Sequence, residues 1–207
     1  CEGDDFWTVP DKLQKQVDLL REYPEAVMSV AKTNLCKQEE DNLKYVRTYE
    51  GNAKVLQGFE EIKSYYFHTS TYVIRKQLLN EVISKYFTGH CLFGDTALRS
   101  ILICYGPFVF LPEVVSVYRQ TGSGIWTSLN RDKQLQWEID AAEKLTGILD
   151  GVHKKAQQEK LYSFYQAKLL GALKAGHITV CIRLTPSVLR YGIMKIPSYL
   201  KKWLKRL

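Results

Sequence analysis

The sequence predicts a mixed α/β domain followed by a helical extension. Helix-like and strand-like patterns alternate over the first 120 residues, and helical spacing alone continues from residue 131. The longest apolar runs, at 101–105 and 107–112, are far too short to cross a membrane.

Each element has its own signal. Pro10 suits a first helical turn, and Leu13, Val17 and Leu20 recur at helical spacing until Tyr23-Pro24 ends the pattern. Residues 26–31 read as a short strand. Residues 37–58 are polar and without clear period, which predicts a surface loop. Residues 67–74 alternate with Thr69, Thr71 and Val73 and predict a strand. A helix is expected over 78–86, with a break at Thr88-Gly89-His90. Gly94-Asp95 then opens an apolar helix reaching about Cys104. Residues 108–110 and 114–118 predict two strands around the turn residue Pro112, and Gly122-Ser123-Gly124 a flexible loop. From 131 to 174 the pattern is helical. Trp137, Ala141, Leu145 and Ile148 mark an expected buried face there, and Gly151 a break.

With 207 residues, the chain can bury one sizeable core plus an appendage. Its 45% hydrophobic and 25% charged fractions are those of a globular protein and exclude disorder. Acidic residues at the start stand where a secretory leader would be basic and then apolar. The five cysteines form no CxxC pair and the four histidines no HxxxH or HExxH pattern. Structural zinc and a disulfide framework are therefore disfavoured, and idle thiols in a reducing cytoplasm are expected.

The net charge of +7 is concentrated at one end. Residues 190–207 hold six of the 29 basic residues and no acidic one, leaving 23 basic against 22 acidic before them. Such confinement argues against a nucleic-acid partner and for local attachment. In the tail, Ile196, Leu200, Trp203, Leu204 and Leu207 form a helical stripe, with Lys195, Lys202 and Arg206 largely opposite and Pro197 in the first turn. Two readings fit this amphipathic pattern: a helix lying in an anionic membrane surface, or one docked on its own domain with a wet basic face.

Glu2-Gly3-Asp4-Asp5 is the sharpest chemical signal. Crowded carboxylates repel and raise one another's pKa, a penalty that an oxygen-preferring divalent cation removes. By itself the cluster also fits a solvated acidic turn ahead of the helix that starts near Pro10. Its context is more specific. The run over residues 1–20, with Phe6-Trp7 and Pro10-Asp11-Lys12-Leu13 after the acidic group, resembles the centre of family 2 glycosyltransferases of the GT-A fold. Three further segments resemble that family in the same order. They are His68-Thr69-Ser70-Thr71-Tyr72-Val73-Ile74-Arg75, Phe93-Gly94-Asp95 with its apolar helix, and Val114-Val115-Ser116-Val117-Tyr118-Arg119 with residues 122–126.

The resemblance implies a partial GT-A domain over 1–130, forming its acceptor-side half, then a helical extension over 131–189 and the basic tail over 190–207. It implies a donor that is a nucleotide-diphosphate sugar, a glycan or lipid-linked acceptor, and Mg2+ or Mn2+ held by Asp4 and Glu2. Asp4 matches the steadier ligand, and Glu2 replaces the family's usual Asp. Asp95 matches the general base of an inverting transfer, although an acid in a first helical turn also simply favours the dipole. Asp5, Trp7, Thr69, Ser70, Arg119, Thr121 and Trp126 fall at donor- or acceptor-binding positions. Core packing is the other reading for Trp7 and Trp126, and a surface or ion-paired role for Arg119. Thr121 stands where members often carry a histidine, a much better metal ligand, so metal affinity and donor choice are open.

The family's nucleotide-holding half precedes the acidic motif and is absent from these residues, so the chain alone is expected not to bind a donor tightly. The expected function is sugar transfer in surface-polysaccharide synthesis. The alternative is a non-catalytic, membrane-associated remnant or interaction module of the same fold.

Overall fold

The structure is a computed structural model that describes residues 3, 5–37, 43–45, 54–58, 61–62, 67–87, 94–120, 124, 126 and 128–192. The chain is mixed α/β and divides into two compact units, Cys1–Ser128 and Leu129–Leu207.

The first unit is built on two long parallel strands, β2 (Met28–Lys37) and β6 (Phe108–Gln120). Short antiparallel strands line their outer edges. On β6 these are β4 (Val55–Leu56) and β1 (Phe6–Trp7); on β2 they are β5 (Val73–Ile74) and β3 (Leu43–Tyr45). Helix α1 (Lys12–Glu22) links β1 to β2, while α2 (Lys76–Tyr86) and α3 (Gly94–Leu102) lie between β5 and β6. Met28, Val30, Phe108, Val109 and Phe110 supply the buried centre of the sheet. Being covered on both sides, these strands read as continuous apolar runs.

Several elements differ from the sequence expectation, each for a local reason. Residues 67–74 are not one strand. A 3-10 turn at Thr69–Thr71 precedes the two-residue β5, because His68 Nδ1 accepts from the Ser70 N–H and Thr71 Oγ1 donates to the His68 carbonyl. Such local side-chain bonds outcompete an extended ladder. The expected loop over 37–58 contains β3 and β4, strands too short to leave a periodic signal. The two strands expected around Pro112 are one. Ala31 pairs with Leu111 and Lys32 with Val114, so Pro112 and Glu113 bulge out where no ladder N–H is needed. Lys15 Nζ, held by both Glu113 oxygens at 3.0 and 2.8 Å, ties α1 to this bulge, and that contact raises its pKa.

Helix α1 forms as its spacing predicts but turns a different face inward. Lys12, Gln16 and Leu20 are buried, whereas Leu13 is exposed. Gln16 Nε2 donates to Ser29 Oγ (3.2 Å) and to the Thr71 carbonyl (2.7 Å), fastening the helix to the sheet and the turn. The carbonyls at the end of α1 are met by Arg75, whose guanidinium donates to Leu20 O (2.6 Å), Tyr23 O and Pro24 O.

In the second unit, α4 (Arg131–Ile148) packs on α5 (Gly151–Lys174), and α5 on α6 (Ile178–Gly192). Gly151 makes the predicted break with a φ of 49°. The buried face of α4 is Leu135, Ile139, Ala141, Ala142 and Leu145; Trp137 and Ile148, expected inside, are exposed. Leu135, Ile139 and Ala142 meet Leu161, Tyr165 and Leu184 in one core. Helix α6 passes residues 189 and 190 without a break. The rest of the basic tail, with its expected helix, lies outside the described residues. No described helix is long and apolar enough to cross a membrane.

Candidate functional site

Segments far apart in sequence meet at one end of β6. Strand β1 pairs with it at Phe6↔Val117 and Trp7↔Ser116, bringing Asp5 beside Arg119. The Asp5 carboxylate is buried. Oδ1 accepts from the Arg119 backbone N–H at 3.2 Å, and Oδ2 lies 3.5 Å from His68 Nδ1. His68 stacks on Tyr118, ring centroids 4.2 Å apart. From His68 a buried polar chain runs inward: Nδ1 is 2.8 Å from Ser70 Oγ, Ser70 Oγ donates to Ser116 Oγ (2.9 Å), and Ser116 Oγ is 2.8 Å from Thr33 Oγ1. A buried polar network of this kind restricts the geometry, since a broken link would leave a polar group buried.

Trp7 joins the same centre. Its Nε1 donates to the Ser70 carbonyl at 3.0 Å, and Lys12 Nζ lies 4.5 Å from its ring centroid. Lys12 is buried, its Nζ has no hydrogen-bond partner among the described residues, and desolvation lowers its pKa from 10.5 to about 8. The Arg119 guanidinium is exposed and sits over the Phe6 ring, 5.9 Å from its centroid.

Asp95 opens α3, where Oδ1 accepts from the Thr96 N–H at 2.7 Å. The Tyr72 hydroxyl donates to the Phe67 carbonyl (2.8 Å), and burial pushes its pKa up to about 12. The Arg99 charge opposes that rise and the Asp95 charge adds to it. The turn at 68–72 meets Asp5 at its first residue, His68.

The fold therefore brings together Asp5, Trp7, Ser70 and Arg119, with Thr69 half-buried in the same turn. Trp126, 38% exposed, lies in a separate turn where the Ser128 N–H donates to the Gly124 carbonyl at 2.9 Å. Glu2, Asp4 and Thr121 lie outside the described residues. Among the described residues no group of three or more His, Cys, Asp or Glu side chains could hold a metal ion. The Asp5 carboxylate is turned inward to Arg119 and His68.

Sequence reasoning did not single out His68, Lys12, Gln16, Ser116 or Tyr118. His68 and Ser116 stand inside the family-like segments, but their pairing spans long sequence separations that no local pattern encodes. Lys12 and Gln16 carried one usable signal: they fall four apart with Leu20, a helical face as regular as the apolar one.

No protein-family model matches the chain. It is 29% identical over 179 residues to uncharacterized proteins of Mycobacterium bovis and Mycobacterium tuberculosis. Each match covers 82% of this chain and 49% of the relative, so the chain spans about half the length of the curated relatives it matches.

Proposed function

We propose that these residues form the acceptor-side part of a metal-dependent inverting glycosyltransferase of the GT-A type. It would act in the cytoplasm on a nucleotide-diphosphate sugar and a glycan or lipid-linked acceptor, as in surface-polysaccharide synthesis. One observation carries this reading. Three of the four segments that resemble family 2 glycosyltransferases meet at the turn at 68–72, through Asp5 to His68, Trp7 to Ser70 and Ser116 to Ser70.

Each group then has a role. Asp95 takes the proton of the acceptor hydroxyl as its oxygen bonds to the anomeric carbon and the bond to the diphosphate breaks on the opposite face. Glu2 and Asp4 are the pair that would hold Mg2+ or Mn2+, whose positive charge offsets that gathering on the departing diphosphate. Asp5 is an anchor: its buried carboxylate fixes the chain one residue after Asp4. Trp7 and Arg119 are exposed beside the anchor, on the side where a sugar ring and a phosphate would lie in this reading.

The test is donor binding and turnover by the full gene product. Titration calorimetry and a nucleoside-diphosphate release assay would be run over a panel of nucleotide-diphosphate sugars, with Mg2+, Mn2+ or chelator. Binding of one donor with metal-dependent release is expected. No binding across the panel contradicts the proposal and favours the non-catalytic alternative.

A further inference from the structure

Helix α6 is apolar on two sides, and only one of them is used by the core. Val180, Leu184, Val188 and Tyr191 face the cluster built on Leu161 and Tyr165. On the other side Ile178, Ile182 and Leu189 are 72%, 69% and 61% exposed, spaced at helical intervals. Leu173 at the end of α5, 57% exposed, extends this surface. An open groove of about 190 Å3 between the helices is lined by Leu173, Gly176, Ile178, Cys181, Ile182 and Thr185. A helix apolar on both sides is one that is covered on both sides.

The charge of this part of the sequence, and two arginines beside the stripe, point to the cover. Glu159 is the last acidic residue of the chain, and the 48 residues after it contain ten basic ones. The other 19 basic residues stand among all 22 acidic ones, so the excess positive charge belongs to α5, α6 and the residues beyond them. Arg183 and Arg190 are exposed, and each stands directly after a stripe residue, Ile182 and Leu189. At 3.6 residues per turn both lie on one flank, about 100° from the stripe. From there an arginine stem can run along an apolar surface while its head stays in a polar layer. A second copy of the same face would bring positive charge against positive charge. Nucleic acid would use the arginines but leave the aliphatic stripe uncovered.

We propose that the outward face of α5 and α6 seats the protein on an anionic lipid surface. Ile178, Ile182 and Leu189 enter the boundary between headgroups and acyl chains, and Arg183 and Arg190 meet lipid phosphates. This inference rests on the second unit alone and does not depend on the sugar-transfer reading.

Vesicle flotation of the full chain tests it, comparing phosphatidylcholine vesicles with vesicles containing roughly one-third phosphatidylglycerol. The wild type should float with the anionic vesicles and not with the neutral ones. The triple variant Ile178→Ser, Ile182→Ser, Leu189→Ser keeps residues 193–207 and should lose at least about tenfold in partitioning. Arg183→Gln with Arg190→Gln should weaken binding to the anionic vesicles alone. Circular dichroism and Tm verify that both variants fold, as expected for exposed positions. Wild type that stays with no vesicle, or a folded triple variant that floats as well as wild type, overturns the proposal. So does a dimer in sedimentation that the triple variant splits, which would assign the face to a second copy.

Discussion

Asp5 stands beside acidic neighbours in the chain, yet its carboxylate points inward to an N–H of Arg119 and to His68. The value of a carboxylate so placed is positional. Lys12 is the opposite case, a buried cation set against the Trp7 ring. Burial lowers its pKa from 10.5 to about 8 in the folded chain. Between these two values the unfolded chain holds the proton and the folded chain has released it, so stability rises with pH across about 8 to 10.5. Below pH 8 both states are protonated and the burial penalty stands in full. Lys12→Met should therefore stabilise the protein at pH 7 and flatten that rise, measured by urea denaturation at a series of pH values. An unchanged slope in the variant would contradict the account. The basic residue was visible in the sequence, but its burial was not, because Leu13 next to it advertised the wrong face.

At the scale of elements, periodicity worked where a helix had room to repeat. Helices α1, α2 and α3 and the long helices of the second unit fall where spacing and breakers put them. It failed where two or three residues decide the backbone. The alternating run at 67–74 looks extended, but hydrogen bonds from His68 and Thr71 curl it into the turn that the site is built around. Pro112 looks like a strand end, but a bulge absorbs it. The join between α3 and β6 is equally local. Gly106 lies so close to the preceding chain that an added Cβ would sit 2.8 Å from both the Glu25 carbonyl oxygen and Val27 Cγ1. The Val27 N–H donates to the Pro107 carbonyl just beyond it, at 2.9 Å. Gly106→Ala should therefore push β6 from β2 and cost about 1–3 kcal/mol, the usual penalty of overpacking. Chemical denaturation measures this, and a variant as stable as wild type would show that the join yields freely.

Over the whole molecule, the order of a mixed α/β part and a helical part was legible, because composition and period change together near residue 130. The site was legible only as separate motifs. Contacts such as Asp5 to His68 and Trp7 to Ser70 join residues 63 apart, and a single sequence carries no record of which distant segments will meet. Asp95 is the residue on which the proposed chemistry turns. The most direct test is the full gene product with Asp95→Asn, an isosteric change that removes the base and leaves the first turn of α3 its capping oxygen. The predicted result is a fall in kcat of about 10²–10⁴-fold with donor affinity retained. Turnover at the wild-type rate in this variant would contradict the account.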